Sequence, residues 1–214
     1  MREYLNITNE CNLELMKRYE DNHFDLAIVD PPYGIGFDGQ KENKATNRKA
    51  HDFKGWDNAI PSVEYFDELK RVSKNQIIWG GNYFFDYLGN TRCVLTWDKI
   101  QEFSGSDFEL AWTSFDKCAK TFRMSRVQAY CNRTKIHPTQ KPSELYEWIL
   151  TRYAETNQKI LDTHLGSGSI AIAVDKVNKF EKMNLTLTAC ELDEDYFKKA
   201  IKMIETETRQ ESLF

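Results

Sequence analysis

At 214 residues, 41% hydrophobic and 13% aromatic, the chain has the size and make-up of one α/β domain, and a chain of this length buries roughly 70% of its unfolded surface. Its net charge of −4 lacks the bulk basic signature of a nucleic-acid binder, so any such role must rest on a local patch. No apolar run approaches a membrane span, Met1-Arg2-Glu3-Tyr4 carries no signal-peptide core, and Cys11, Cys93, Cys118, Cys131 and Cys190 never fall at Cys-x-x-Cys spacing, so the expectation is a cytoplasmic chain with reduced thiols, no membrane and no metal.

The first strong element is the apolar run Leu26-Ala27-Ile28-Val29, which predicts a buried parallel strand over 25–29 ended by Asp30-Pro31-Pro32-Tyr33. In open α/β folds the chemistry lies just beyond the carboxyl ends of such strands. This turn sets a carboxylate, a proline carbonyl and an aromatic ring within four residues. Asp30 and the Pro31 carbonyl can accept the two N–H bonds of an amine on a flat ring, and Tyr33 can stack on its face. An ordinary strand-ending turn is the alternative. A polar loop follows, expected to be mobile over 37–60, with Lys41, Lys44, Arg48, Lys49 and Lys54.

Next come a helix near 62–73, a strand over 76–80, a helix over 82–88 and strands over 93–97 and 107–114. The segment 107–124 is expected to form a hairpin-like antiparallel edge. The glycine pair in Trp79-Gly80-Gly81-Asn82 suits either a pocket wall or a structural turn. A basic connector spans 117–136. From Lys117 to Lys141 stand seven positive residues (Lys117, Lys120, Arg123, Arg126, Arg133, Lys135 and Lys141) and no acidic one, with Phe122 and Tyr130 interleaved. Most charge runs are solvated faces, but 25 residues without an acid in a chain that is 29% charged point to phosphate contact.

A helix over 143–154 precedes a second buried strand, 159–162, then Thr163-His164-Leu165-Gly166-Ser167-Gly168 and an apolar helix over 169–178. Strand, Gly-x-Gly, helix is the layout of a nucleotide-type cofactor site. The next strand, 185–190, delivers Glu191 23 positions beyond Gly168, near the offset of roughly 20 at which an acid holds ribose hydroxyls. A glycine helix start and a capping carboxylate are the plainer alternatives. Asp193 is expected to cap a last helix over 193–206, with 206–214 fraying. The tryptophans read as core or rim packing, and His137 as structural.

On Asp30-Pro31-Pro32-Tyr33-Gly34-Ile35-Gly36, Ile77-Ile78-Trp79-Gly80-Gly81-Asn82, His137-Pro138-Thr139-Gln140-Lys141-Pro142 and the 161–169 segment, the chain resembles amino-group DNA methyltransferases of the permuted, β-type motif order, and most of all the small phage and prophage-type adenine methylases. The resemblance runs from about residue 20 to 205. It implies a doubly wound, mainly parallel Rossmann-like sheet, a single methyltransferase domain over 1–214, S-adenosylmethionine as cofactor, double-stranded DNA as partner and a homodimer as one possible assembly. It further implies a catalytic set of Asp30, Pro31, Pro32 and Tyr33. Cofactor contacts would come from Asp30, Asp162, Thr163, His164, Gly166, Ser167 and Gly168, with Glu191 on the ribose and Leu192 against the adenine. Lys141, Pro142 and Ser143 would meet the methionine carboxylate at a helix start.

The chemistry implied is methylation of adenine N6 in a flipped-out base, marking phage or mobile-element DNA. Cytosine-N4 or RNA adenine methylation, and a weakly active DNA-binding subunit needing a partner, are the alternatives. A nicotinamide dehydrogenase lacks support because the third fingerprint glycine is missing. Two departures from the family stand out. Thr163-His164 replaces the proline and aromatic residue of many relatives, and the recognition segment near 115–136 is short, suggesting a short recognition sequence, relaxed specificity or help from a second subunit, with the loop 37–60 able to supply the missing contacts.

Overall fold

Alternate residues of the central strands serve two different cores. In the computed structural model, which describes residues 2–39, 52–101, 105–130 and 135–210, Leu26, Ile28, Ile77 and Ile160 belong to one buried cluster, and Ala27, Val29, Ile78 and Leu161 to another. Strands apolar on both sides require helices on both faces. Among the described residues the sheet has eight strands: β1 (Leu5–Asn9), β2 (Phe24–Val29), β3 (Ser73–Trp79), β4 (Val94–Asp98), β5 (Phe108–Thr113), β6 (Lys120–Arg123), β7 (Lys159–Asp162) and β8 (Thr186–Glu191). Their order is β1-β8-β7-β2-β3-β5-β4-β6, and β5 alone runs antiparallel to the rest.

Helices α1 (Asn12–Lys17), α2 (Val63–Val72) and α3 (Phe85–Leu88) cover one face. The other is covered by α5 (Ser143–Tyr153), α6 (Ser169–Phe180) and α7 (Glu194–Gln210), with the short α4 (Arg126–Tyr130) beside them. A single 3-10 turn, Gly81–Tyr83, precedes α3, so the helix expected over 82–88 is broken in two.

Three expectations are corrected. The connector 117–136 contains β6 and α4, and β6 pairs with β4 in parallel; the antiparallel partners of β5 are β3 and β4, so 107–124 is no hairpin edge. Residues 206–210 continue α7 instead of fraying. β1 and α1 precede the first predicted strand. Parallel pairing of β1 with β8 uses the alternation of Leu5 and Ile7. No helix among the described residues is long and apolar enough to cross a membrane.

Candidate active site

Because all strands but β5 run the same way, the carboxyl ends of β2, β7 and β8 open on one rim of the sheet, where α/β folds bind ligands. A cavity of 710 Å³ lies there, within the roughly 300–1,000 Å³ usual for small-molecule sites. It brings together Asp30 and Pro32 from the first predicted turn with Lys141, Thr163, His164, Gly166, Ser167, Glu191 and Leu192. Pro31, Asp162 and Ser143 are buried. They lie outside the lining, as do Tyr33, Pro142 and Gly168.

The 30–33 turn is pinned by a residue that sequence reasoning missed. Asp57, buried in the polar segment before α2, accepts from the backbone N–H groups of Tyr33 (2.7 Å), Gly34 (2.9 Å) and Phe37 (2.7 Å). These donors would otherwise be left unpaired by a turn containing two prolines. Asp30 itself is engaged on both oxygens: Oδ1 accepts from the Tyr33 phenol at 2.6 Å and Oδ2 from Lys141 Nζ at 2.5 Å. Tyr33 is not free to stack on both faces, since its ring lies parallel to Tyr83 with centroids 5.0 Å apart. Gly80 explains how the ring fits. Its φ is +71°, and a Cβ there would stand 2.1 Å from Tyr33 Cε1, so Gly80 makes room for the ring of the 30–33 turn, whereas at Gly81 a Cβ would meet Trp112 Cβ at 2.6 Å.

Lys141 is not a surface lysine at a helix start. Its side chain is 1% exposed, and Nζ bridges Asp30 to Glu109 Oε2 at 3.0 Å. It therefore meets protein carboxylates where a cofactor carboxylate was expected. Glu109 in turn holds Lys99 Nζ at 2.9 Å. Burial alone would lower Lys141, but the carboxylates of Asp30 and Glu109 more than offset it and hold the ammonium above the ordinary lysine value. For Glu109 burial acts upward, yet the two lysines outweigh it and keep its carboxyl down at about 2. Burial pushes Asp30 above the usual carboxylate range, with Lys141 pulling against it.

On the opposite side, Gly168 takes φ +78° to start α6, and a Cβ would collide with Ile204 Cδ1 at 2.7 Å. The glycine there is needed for the packing of α6 against α7. Glu191 accepts from the N–H of Gly166 (2.8 Å) and of Asp193 (3.0 Å), one on each oxygen, which aims its carboxylate across the 166–168 turn. Leu192 is 73% exposed at the cavity mouth.

Thr163-His164, the departure from the family pattern, forms a buried hydrogen-bonded set. Tyr65 Oη meets Thr163 Oγ1 at 2.7 Å, Thr163 Oγ1 meets His164 Nδ1 at 3.0 Å, and Asn12 Nδ2 meets His164 Nε2 at 3.1 Å. Burial lowers His164 to about 3, so the ring is neutral. Asp162 accepts from His164 N–H at 3.0 Å, and burial, with Asp30 and Glu191 adding repulsion, raises it to about 8. His137 packs between Trp56 and Tyr196 in the cavity wall.

The basic segment is divided. β6 runs parallel to β4, so Arg123 and Arg126 lie at the carboxyl ends of the strands, the rim that carries the cavity, and Lys117 and Lys120 at the amino end of β6. Arg123 pairs with Asp98 at 3.2 Å and stays 74% exposed. Lys117 sits over the Phe115 and Tyr153 rings, and Lys135 over Tyr130. Lys41, Lys44, Arg48, Lys49 and Arg133, and half of the loop 37–60, lie outside the described residues. No group of three or more metal-ligating side chains occurs among the described residues.

Known proteins place this arrangement. The type II methyltransferase M.HpaI of Haemophilus parainfluenzae is 25% identical over an alignment of 214 positions that covers 78% of this chain; the chain spans 65% of that relative's length, less than two thirds. Among solved structures, the M1.HpyAVI–SAM complex matches at a TM-score of 0.59 with 15% identity, over 92% of this chain and 98% of that one. The cytosine-N4-specific PvuII DNA methyltransferase matches at 0.60 with 12% identity, over 97% and 94%. These two likenesses establish the fold, a Rossmann-like methyltransferase sheet. The N6_N4_Mtase family, described as DNA methylase, matches residues 96–202, which are 107 of the 214. The chain belongs to this DNA methylase family.

Proposed function

We propose that the protein transfers a methyl group from S-adenosylmethionine to the N6 amino group of adenine in double-stranded DNA. The observation that carries this reading is that one cavity joins the Asp30 carboxylate to the 166–168 glycine turn and Glu191. The lining also fits the cofactor by charge. Glu10, Asp30, Glu191, Asp193 and Glu194 line it with Lys54 and Lys141, and both lysines are tied to carboxylates. Such a wall suits a ligand with a cationic sulfur, an ammonium and ribose hydroxyls, and opposes the pyrophosphate of a dinucleotide.

Bound S-adenosylmethionine supplies a methyl group on a positively charged sulfur. Glu191 retains lone pairs for the ribose hydroxyls, Leu192 offers an apolar surface for the adenine ring, and Asp162 and Gly166 flank the methionine part, with Thr163 and Ser167 completing the wall. An aromatic amine is a poor nucleophile because its lone pair is delocalised into the ring. Hydrogen bonds from its two N–H groups to Asp30 and the Pro31 carbonyl favour a tetrahedral nitrogen whose lone pair points at the methyl. The reaction then needs alignment more than a strong base, and the proton can leave after transfer. Flipping the base costs a few kcal/mol, of which Tyr33, next to Asp30 and backed by Tyr83, can return part through stacking. The aspartate of the turn favours adenine over cytosine.

Methyl transfer from labelled S-adenosylmethionine to duplex DNA, followed by nucleoside analysis, tests this. N6-methyladenine is expected; N4-methylcytosine would keep the reaction and replace the base, and label in RNA alone would replace the substrate.

Phosphate contact falls to Arg123, at the carboxyl end of β6, and Arg126, at the start of α4. Reversing both to glutamate is expected to weaken DNA binding at least tenfold and to flatten the salt dependence by about two counterions. The same reversal at Lys117 and Lys120 should change it far less. Equal losses from the two pairs in a salt titration would show that the whole segment acts as a diffuse field.

A further inference from the structure

The four charges behind the 30–33 turn form an alternating row: Asp30, Lys141, Glu109, Lys99, with successive contacts of 2.5, 3.0 and 2.9 Å. They come from four separate places in the chain. Asp30 follows β2, Lys141 precedes α5, Glu109 lies in β5, and Lys99 follows β4, where its backbone N–H extends the ladder to Asp107 O at 2.9 Å. Its two lysines are the most buried members, Lys141 at 1% and Lys99 at 11% exposed, while the Glu109 side chain is 24% and that of Asp30 17% exposed. The lysines also lie over indole rings, Lys99 over Trp97 and Lys141 over Trp79.

This row answers a difficulty in the reading proposed above, on which the inference rests. Both Asp30 oxygens are occupied, one by the Tyr33 phenol and one by Lys141. An arriving amino group must share or take one of those positions. If Lys141 had Asp30 as its sole partner, giving way would strand a buried ammonium, which is strongly unfavourable. Glu109 removes that obstacle because it already holds the same Nζ. The ammonium can loosen from Asp30 without losing its charge partner, and Lys99 keeps Glu109 from becoming an unbalanced anion beside the base.

We propose that Glu109 is a positioning residue for methyl transfer: it anchors Lys141 as a second carboxylate, so that Asp30 can turn an oxygen from the lysine to the amino group of the target base. Lys99 supports it from the far side. Neither residue lines the cavity, so neither is expected to contact cofactor.

The test is Glu109→Gln in the full chain, which keeps the side-chain shape and one acceptor oxygen but removes the charge. Single-turnover methyl transfer should fall at least tenfold, while affinities for S-adenosylhomocysteine and for duplex DNA, measured by calorimetry and by anisotropy, stay within about twofold. Glu109→Asp should recover part of the rate. An independent readout is the titration of the Lys141 ammonium by NMR in the protein without DNA. Asp30, Glu109 and the Tyr33 phenol face this group, and losing Glu109 should move its titration downward. Lys99→Met, at the end of the row far from Asp30, should lower the rate in the same direction and serves if Glu109→Gln does not fold. An unchanged rate, or a rate loss matched by an equal loss of cofactor affinity, overturns the proposal. An unmoved Lys141 titration in Glu109→Gln overturns it even if the wild-type protein transfers no methyl group to DNA. Absence of transfer by the wild type, with the Lys141 titration shifted, counts against the methyl-transfer reading alone.

Discussion

Asp30→Ala is expected to lower single-turnover methyl transfer by about 10³-fold or more while S-adenosylhomocysteine affinity changes only a few-fold, because the loss falls on alignment and charge at the amino nitrogen. Glu191 and the 166–168 turn are held by their own backbone contacts, with no bond to Asp30, so the cofactor side should survive. The alanine also removes one partner of Lys141 and the acceptor of the Tyr33 phenol. Lys141 keeps Glu109 at 3.0 Å, so the ammonium is not stranded, and the fold should tolerate the change better than the usual 3–5 kcal/mol for breaking a buried pair. Asp30→Asn separates these effects. It restores the shape and an acceptor for Tyr33, yet offers Lys141 and the base a weaker, neutral oxygen. Its rate should lie between alanine and wild type, with unfolding close to wild type by calorimetry. Near-normal turnover in Asp30→Ala would falsify the role given to this turn.

What was legible in the sequence lay where one strand ends in an unusual residue set. The run 26–29 with Asp30, the run 159–162 with its glycines, and Glu191 at its offset are local signals, and one cavity collects all three. The row behind Asp30 could not be read that way. Lys99 and Glu109 meet because β4 and β5 pair antiparallel with Trp97 opposite Glu109, and Lys141 reaches them from a third segment; no spacing in the chain encodes that register. Asp57 stands in a polar segment where any acid looks solvated. A hint existed in Gly34 and Gly36, which take φ of +70° and +69° in a turn whose N–H groups need an acceptor. β6 was hidden by length and charge, since Lys120-Thr121-Phe122-Arg123 offers a single apolar residue inside a basic stretch. The division of that stretch between the two ends of an edge strand follows from the pairing of β6, which composition does not carry. The β1 alternation at Leu5 and Ile7 was present in the sequence, and a reading that starts from the apolar run of β2 passes over it.

Asp162 gives the second large effect, and its sign is unusual for a carboxylate. It is 3% exposed and, held at about 8 by burial and by repulsion from Asp30 and Glu191, it is more easily ionised in the unfolded chain, near 3.9. Below pH about 4 both states are protonated and the stability linked to this group is fully present. As pH rises toward 8 the unfolded chain gives up the proton first, so stability falls; above 8 the loss is complete. Asp162→Asn mimics the protonated form at every pH. In the absence of cofactor, its unfolding midpoint should therefore match wild type near pH 4 and exceed it at pH 8, by roughly 4–10 °C if about 2–3 kcal/mol is recovered. The same variant should bind S-adenosylmethionine about tenfold more weakly at pH 8, since an anion kept at a cost to folding is what a cationic ligand uses. Paired thermal scans and calorimetric titrations at pH 5 and 8 decide the matter. A stability gain that does not grow with pH means that Asp162 is already ionised in the folded protein at pH 5. A gain in stability without loss of affinity separates the group's burial from the cofactor and assigns it to the hydrogen bond with the His164 backbone alone.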